Sequence, residues 1–322
     1  MNENLNVLDR RLLYELDCNA RASYAQIARK TRISQERVRY RIKGLVKKGI
    51  ISRFLAILNT TTLGNSYYQM MVKLQNVDEH KKQELISFLT AHSRIAWIGN
   101  LEGSFDISFI IYVKNQLALQ GFMEDLNLRF SPSIMKKVIS VNLYATFFPR
   151  DYLISKERTP GKQSTYQSSE QCITLDPIDD SICKQLGQDA RTSCVKIAER
   201  IRISSDAVIA RMKKLKKDKI ILGYTLVLNQ EKIGQSHYKI LIYLNNVSKN
   251  RESGLTGFCS MNNRVIAIIR TLGSWDYEID IEVQGADQLR VFTMDLTTQF
   301  SDIIRDYDTL RIVEMPKYTF FP

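Results

Sequence analysis

The chain is written twice. Leu8-Asp9 returns as Ile178-Asp179, Ala20-Arg21 as Ala190-Arg191, Ile27-Ala28 as Ile197-Ala198, and Ile33-Ser34 as Ile203-Ser204. Arg41, Leu45 and Ile50-Ile51 return as Arg211, Leu215 and Ile220-Ile221, and Gly103-Ser104-Phe105-Asp106 returns as Gly273-Ser274-Trp275-Asp276. Each pair stands 170 residues apart. The register holds to Phe130-Ser131 and Phe300-Ser301, then slips by three, so that Thr146-Phe147-Phe148-Pro149 matches Thr319-Phe320-Phe321-Pro322. A unit of about 145 residues is a duplicated globular unit rather than a solenoid repeat, whose periods run about 20–50 residues, and it is long enough to bury a core. The second copy therefore serves as a control on the first. Shared positions serve the fold, and positions that differ are free to serve function.

The net charge of +12 points to a polyanionic partner, and its distribution sharpens that reading. Residues 8–53 carry 13 Lys/Arg against four Asp/Glu, and residues 178–222 carry 11 against six. The opening third of each copy thus holds the basic charge, and the remainder is close to neutral. Five cysteines, an odd number without a Cys-x-x-Cys pair, argue against a disulfide framework and a zinc site. No cofactor and no metal are expected. With no apolar signal core and no run approaching the ~20 residues that span a bilayer, the expectation is a soluble cytoplasmic protein with no membrane partner.

Residues 8–50 read as three helices. Leu8, Leu12, Leu13 and Leu16 form a helical stripe ending at Asp17-Cys18-Asn19. Ser23 is placed to cap a second helix that carries Ile27 and Ala28 inward. Ser34 caps a third, with Val38, Ile42 and Leu45 on its buried face and Gly49 stopping it. Only Thr31-Arg32-Ile33 separates helices two and three, the connection length of a helix-turn-helix. A strand over 50–58 leads away. Beyond it, strands over 68–74, 95–100, 105–113 and 138–144 alternate with helices over 79–91 and 117–130. This is the βαββαβ order of a ferredoxin-like unit, one sheet with two helices on one face. The second copy repeats it over 238–244, 252–261, 264–272, 275–283, 287–300 and 309–318. Residues 155–171, rich in Ser, Gln, Lys and Thr with Pro160-Gly161, read as a flexible or loosely packed linker. The expected class is α+β, divided into a helix-turn-helix domain (1–51), a ferredoxin-like domain (52–150), a linker (151–175), a second helix-turn-helix (176–221) and a second ferredoxin-like domain (222–322).

Two helix-turn-helix units, each followed by a ferredoxin-like domain, closely resemble the Lrp/AsnC (feast/famine) family of transcriptional regulators. The resemblance rests on Leu8-Asp9-x-x-Leu12-Leu13, Asn19-Ala20-Arg21, Ile27-Ala28, Ile33-Ser34, Val38-x-x-Arg41-Ile42-x-x-Leu45 and Lys48-Gly49-Ile50-Ile51, with Gly103-x-x-Asp106 in the second domain. It covers nearly the whole chain twice. The tandem fusion is the departure, since family members usually carry one copy. The resemblance implies double-stranded DNA as partner and homo-oligomerisation through the ferredoxin-like RAM domains. It also implies an amino-acid or other small-molecule effector near the turns 99–106 and 269–276, which places Gly103, Asp106, Gly273 and Asp276 in an effector site. The alternative for those turns is a plain β-turn, with glycine at positive φ and aspartate capping the bend.

DNA binding can also be argued without the family. A recognition helix lies in the major groove with its N-terminal residues at base edges. The first copy offers Ser34, Gln35, Arg37, Arg39, Tyr40 and Lys43 there, Arg suiting guanine and Gln suiting adenine. Lys43 and Lys47 would meet phosphates. In the second copy Ser205, Asp206, Ala207, Ile209 and Ala210 replace Gln35, Glu36, Arg37, Arg39 and Tyr40, while Lys213, Lys214 and Lys217 keep a phosphate-seeking end. The second unit either contacts mainly backbone or has become a scaffold. Arg41 and Arg211 are either phosphate contacts or structural partners of Asp9 and Asp179. No catalytic residue is expected. Two other functions compete: an architectural DNA-coating protein, and a sirohaem-decarboxylase-like enzyme on the same architecture. The second is disfavoured because residues 95–113 and 265–283 contain no histidine.

Overall fold

A computed structural model describes residues 5–158, 161, 163–169 and 172–321. Each copy opens with three helices: α1 (Val7–Cys18), α2 (Tyr24–Thr31) and α3 (Gln35–Lys47) in the first. The second has α6 (Pro177–Gln188), α7 (Cys194–Ile201) and α8 (Ser205–Lys217). The caps sit where the sequence places them. Ser23 and Ser34 accept hydrogen bonds from the amides of Gln26 and Arg37, and Ser193 and Ser204 do the same in the second copy. Each cap satisfies an otherwise orphaned amide and contributes about 1 kcal/mol.

The strands that leave the helices, β1 (Ile51–Leu58) and β7 (Ile221–Leu228), pair antiparallel with each other. They exchange partners in doing so. Leu55, Ile57 and Leu58 of β1 pack into the second helix-turn-helix core with Ile182, Leu186 and Leu215. Leu226 and Leu228 of β7 complete the first core with Leu12, Leu16 and Leu45. Neither helical unit is therefore closed by its own copy alone.

The first ferredoxin-like unit is β2 (Ser66–Leu74), α4 (Glu79–Ala91), β3 (Ile95–Glu102), β4 (Ile107–Val113), α5 (Gln116–Phe130) and β5 (Ile134–Phe147). After a short strand β6 (Ser164–Gln167), the second unit is β8 (Ser236–Leu244), α9 (Lys249–Met261), β9 (Val265–Leu272), β10 (Tyr277–Val283), α10 (Ala286–Gln299) and β11 (Ile304–Tyr318). Edge strand β3 pairs with β11, and edge strand β5 pairs with β9. The order β2-β4-β3-β11-β8-β10-β9-β5, closed by β2–β5, makes an eight-stranded barrel with four strands from each copy. Closure removes the free edges that two separate sheets would present. Alternation along the strands sends Met70, Val72, Ile107, Phe109 and Ile111 outward to the helices, and Tyr67, Gln69, Met71 and Ser108 into the lumen.

The stretch read as a loosely packed linker is instead built into the fold. Residues Asp151–Ile154 form a 3-10 turn whose Tyr152 and Leu153 enter the first helical core, and Arg158 is buried against Asp151 at 3.0 Å. Strand β6 extends the sheet beside β5 and buries Tyr166. Its polar composition hid one arginine, Arg158, and three aromatic or aliphatic anchors, Tyr152, Leu153 and Tyr166, each of which finds a partner more than 100 residues away. Pro160 and Gln171 lie outside the described residues. Among the described residues no helix is long and apolar enough to cross a membrane.

Candidate nucleic-acid interface

Helix α3 packs on the core through Val38, Ile42 and Leu45 and leaves Gln35, Arg37, Arg39, Tyr40, Lys43 and Lys47 exposed. Tyr40 is 80% exposed, unusual for an aromatic ring with no ring or cation partner among the described residues. Among the described residues Arg37, Arg39, Lys43 and Lys47 form no ion pair. Their charge is uncommitted. Ser34 is the helix cap, so its hydroxyl already accepts the Arg37 amide. Helix α8 keeps the buried side, Val208, Met212 and Leu215, and presents Asp206, Ile209 and Ala210 where α3 presents Glu36, Arg39 and Tyr40. Ser205 is its first residue and half-buried. Lys213, Lys214 and Lys217 are exposed at its C-terminal half.

The two shared arginines are both ion-paired. Arg41 donates to Asp9 at 2.8 Å, and Arg211 to Asp179 at 2.9 Å and Asp176 at 2.5 Å. Of the two roles open for these residues, the geometry supplies the partners of the structural one. Each pair ties the third helix of its unit to the first. Asp106 and Asp276 are committed in the same way. Asp106 accepts the Leu74 amide at 2.7 Å and the Lys73 ammonium at 3.0 Å, and Asp276 accepts the Leu244 amide at 2.8 Å and Arg270 at 3.1 Å. Gly103 and Gly273 have φ of +135° and +155°, and a Cβ on either would stand 2.9 Å from the other copy's chain, at Leu310 and Ser140 respectively. The four residues of the expected effector site therefore close the strand ends and press the two copies together. That is the plain-turn arrangement.

Sequence reasoning noted the shared Ala-Arg pair without assigning it a task. Arg21 reaches across the pseudo-twofold axis and donates to the carbonyls of Ala190 at 2.6 Å and Thr192 at 2.7 Å. Arg191 answers with bonds to Ala20 at 2.6 Å and Ala22 at 3.4 Å. The Ala20 amide donates to Tyr224 of β7, and the Ala190 amide to Phe54 of β1. This reciprocal clasp, with Arg21 over the Tyr224 ring and Arg191 over Tyr24, ties the two helical units to each other. Behind the first head lies a buried charge network. Arg150 donates to Asp17 of α1 at 2.7 Å and to Glu282 of β10 at 2.8 Å, and Tyr152 also donates to Glu282. Burial alone would raise the Glu282 carboxyl, but Arg150 overrides it and holds it at about 2. Burial keeps Asp17 above the usual carboxylate range in spite of Arg150.

The winged helix-turn-helix DNA-binding family matches residues 5–52, and the AsnC-type helix-turn-helix domain matches residues 175–216. An uncharacterized HTH-type transcriptional regulator of Pyrococcus furiosus is 33% identical over 121 residues, 38% of this chain and 80% of that protein. The chain belongs to the Lrp/AsnC family of transcriptional regulators. The transcriptional regulator AzlB of Bacillus subtilis, 28% identical over 149 residues, is matched over 94% of its own length by 46% of this chain. One copy of this Lrp/AsnC chain thus corresponds to nearly the whole of such a relative. The siroheme decarboxylase NirDL matches the doubled arrangement, with a TM-score of 0.60, 13% identity, and coverage of 98% of this chain and 93% of that one. At that identity the likeness is one of fold. The strands before and after each Gly-x-x-Asp turn carry no histidine. His237 of β8 lies in the lumen, fully buried.

Proposed function

We propose that this protein is a sequence-specific, double-stranded-DNA-binding regulator that works as a built-in heterodimer. Helix α3 reads bases with Gln35, Arg37, Arg39 and Tyr40, while Lys43 and Lys47 hold phosphates. Helix α8 anchors the second half-site through Lys213, Lys214 and Lys217 and reads little. The observation that carries this reading is the contrast between two helices on one scaffold: the buried sides agree, and the exposed sides differ in two arginines and a tyrosine. Arg41 and Arg211 position those helices through their aspartate partners. Homo-oligomerisation would use the outer surface of the RAM units, since both sheet edges are already paired within the chain. Leu117 and Leu128 on α5, with Val291 and Met294 on α10, are exposed there.

Binding measured by fluorescence anisotropy on an operator and on random DNA tests the division of labour. Arg39→Ala should cost about 1–3 kcal/mol on the operator and little on random DNA. Lys47→Ala should weaken both and lower the salt slope by about 1. Equal, sequence-independent losses from both changes would contradict the assignment. A footprint spread evenly over unrelated DNA would favour the architectural alternative.

A further inference from the structure

The barrel lumen is where the two copies diverge most sharply in chemistry, and nothing in DNA reading accounts for it. On the first copy's wall stand Tyr67, Gln69, Ser108, Ile110 and Tyr112. At the same positions, 170 residues on, the second copy carries His237, Lys239, Glu278, Asp280 and Glu282. Strands β2 and β4 fold with neutral residues at these sites, so β8 and β10 do not need charge to form. Buried charges are in general no better for stability than apolar residues of similar volume. Glu282 is neutralised by Arg150, but Glu278 and Asp280 have only Lys239 between them, and the wall opposite offers Tyr67, Gln69, Ser108, Ile110 and Tyr112; that imbalance points to a ligand.

The leftover hydrogen-bonding capacity says which kind. Among the described residues Lys239 is the one cation lining the cavity walled by Tyr67, Gln69 and Asn142, held between Glu278 at 2.6 Å and Asp280 at 2.8 Å. Burial alone would push its ammonium down, yet the two carboxylates hold it above the ordinary lysine value. It stays charged, and two carboxylates share one cation, which leaves an excess of negative charge. Glu278 has a second donor, the Trp275 indole at 3.0 Å. The unpartnered buried atoms include two amide acceptors, Gln69 Oε1 and Asn142 Oδ1, and, in the adjoining cavity, both ring nitrogens of His237, one a donor and one an acceptor. Burial lowers the His237 pKa and keeps the ring neutral, with one nitrogen free to accept. Aromatic walls from Trp97, Tyr67, Tyr166 and Tyr318 offer π-faces that favour a cation. At about 10–15 Å³ per water-sized position, a cavity of about 60 Å³ accepts a molecule of about four to six heavy atoms.

We infer that the lumen between the two RAM sheets is a binding site for a small protonated amine, held by Asp280, Gln69 and Asn142 against the aromatic wall. It is separate from the Gly-x-x-Asp turns, and it is built from both copies at once. Three probes of four or five heavy atoms distinguish the chemistry: propylamine, propionamide and propionate, titrated calorimetrically into the full chain without DNA, so that the regulator reading stands or falls separately. Propylamine should give saturable heat, and the neutral and anionic probes none. Asp280→Asn should weaken propylamine binding by about tenfold, because the acceptor persists but the charge is lost. Gln69→Leu, which leaves the Lys239 ion pairs intact, should weaken it also and keeps the test available if the first variant folds poorly. The inference is overturned if propionamide or propionate binds as tightly, if neither variant changes the affinity, or if propylamine gives no saturable heat.

Discussion

Glu282 shows how much a single position in this chain can carry. It accepts hydrogen bonds from Arg150, Tyr152 and Gln230, residues of the inter-copy segment and of the loop after β7. Its carboxyl is held at about 2 against an ordinary 4.5. A depressed carboxyl stabilises the fold above its unfolded pKa and loses that contribution as pH falls through the folded one. Stability measured by urea midpoints should therefore drop as pH falls from 4.5 toward 2. Glu282→Gln should flatten that slope. Asp17, shifted in the opposite direction, works against the trend in wild type, so an unchanged slope in the variant would assign the acid sensitivity elsewhere. Little of this was legible in the sequence. Glu282 alternates with Ile281 and Val283 as any strand residue does, and its partners lie 52 to 132 residues away. The capping serines were legible, because helix geometry fixes their partners within one turn, whereas the pairs Asp9–Arg41 and Asp179–Arg211, 32 residues apart on different helices, were one of two roles the sequence left open.

At the level of elements, the helical heads were readable and their mutual placement was not. Period and caps located α1, α2 and α3 to within a residue or two, but no local rule announces that β1 would complete the other copy's core. The Arg21–Arg191 clasp belongs to the same class of feature, since its acceptors are backbone carbonyls, which carry no sequence signature. Its removal has a defined consequence. In the double variant Arg21→Ala/Arg191→Ala each head keeps its recognition helix, but the rotation between heads loosens. Wild type should lose more than about tenfold in affinity when half the helical turn of about 10 bp is inserted between half-sites. The double variant should tolerate the same insertion with a markedly smaller loss, at the expense of lower affinity for the native spacing. Equal spacing profiles would show that the β1–β7 pairing alone fixes the geometry.

For the molecule as a whole, the barrel makes one cooperative body out of two copies. Trp97 comes from the first and Trp275 from the second, the only two tryptophans of the chain, and both lie buried in the same lumen cluster. The single-tryptophan variants Trp275→Phe and Trp97→Phe therefore report on one half each. Their urea unfolding curves, followed by fluorescence and aligned for any difference in midpoint, should show the same single transition and slope. A half that melts separately would mean that strand pairings β3–β11 and β5–β9 contribute less than the register suggests. The repeated sequence made the doubling plain, but closure into a ring needs two edge pairings in register, and those depend on side chains brought together only by the fold.

Sealing both edges of each sheet against its sister has a last consequence, for the cell rather than for the fold. Regulators assembled from separate chains can mix with their paralogues, and the blend follows expression levels. Here the partner is prescribed by covalent continuity, and the strands β3, β5, β9 and β11 that would edge the two separate RAM sheets are already paired with each other. The ratio of the first helical unit to the second stays one to one whatever else is made, and the identity of the pair is inherited with the gene.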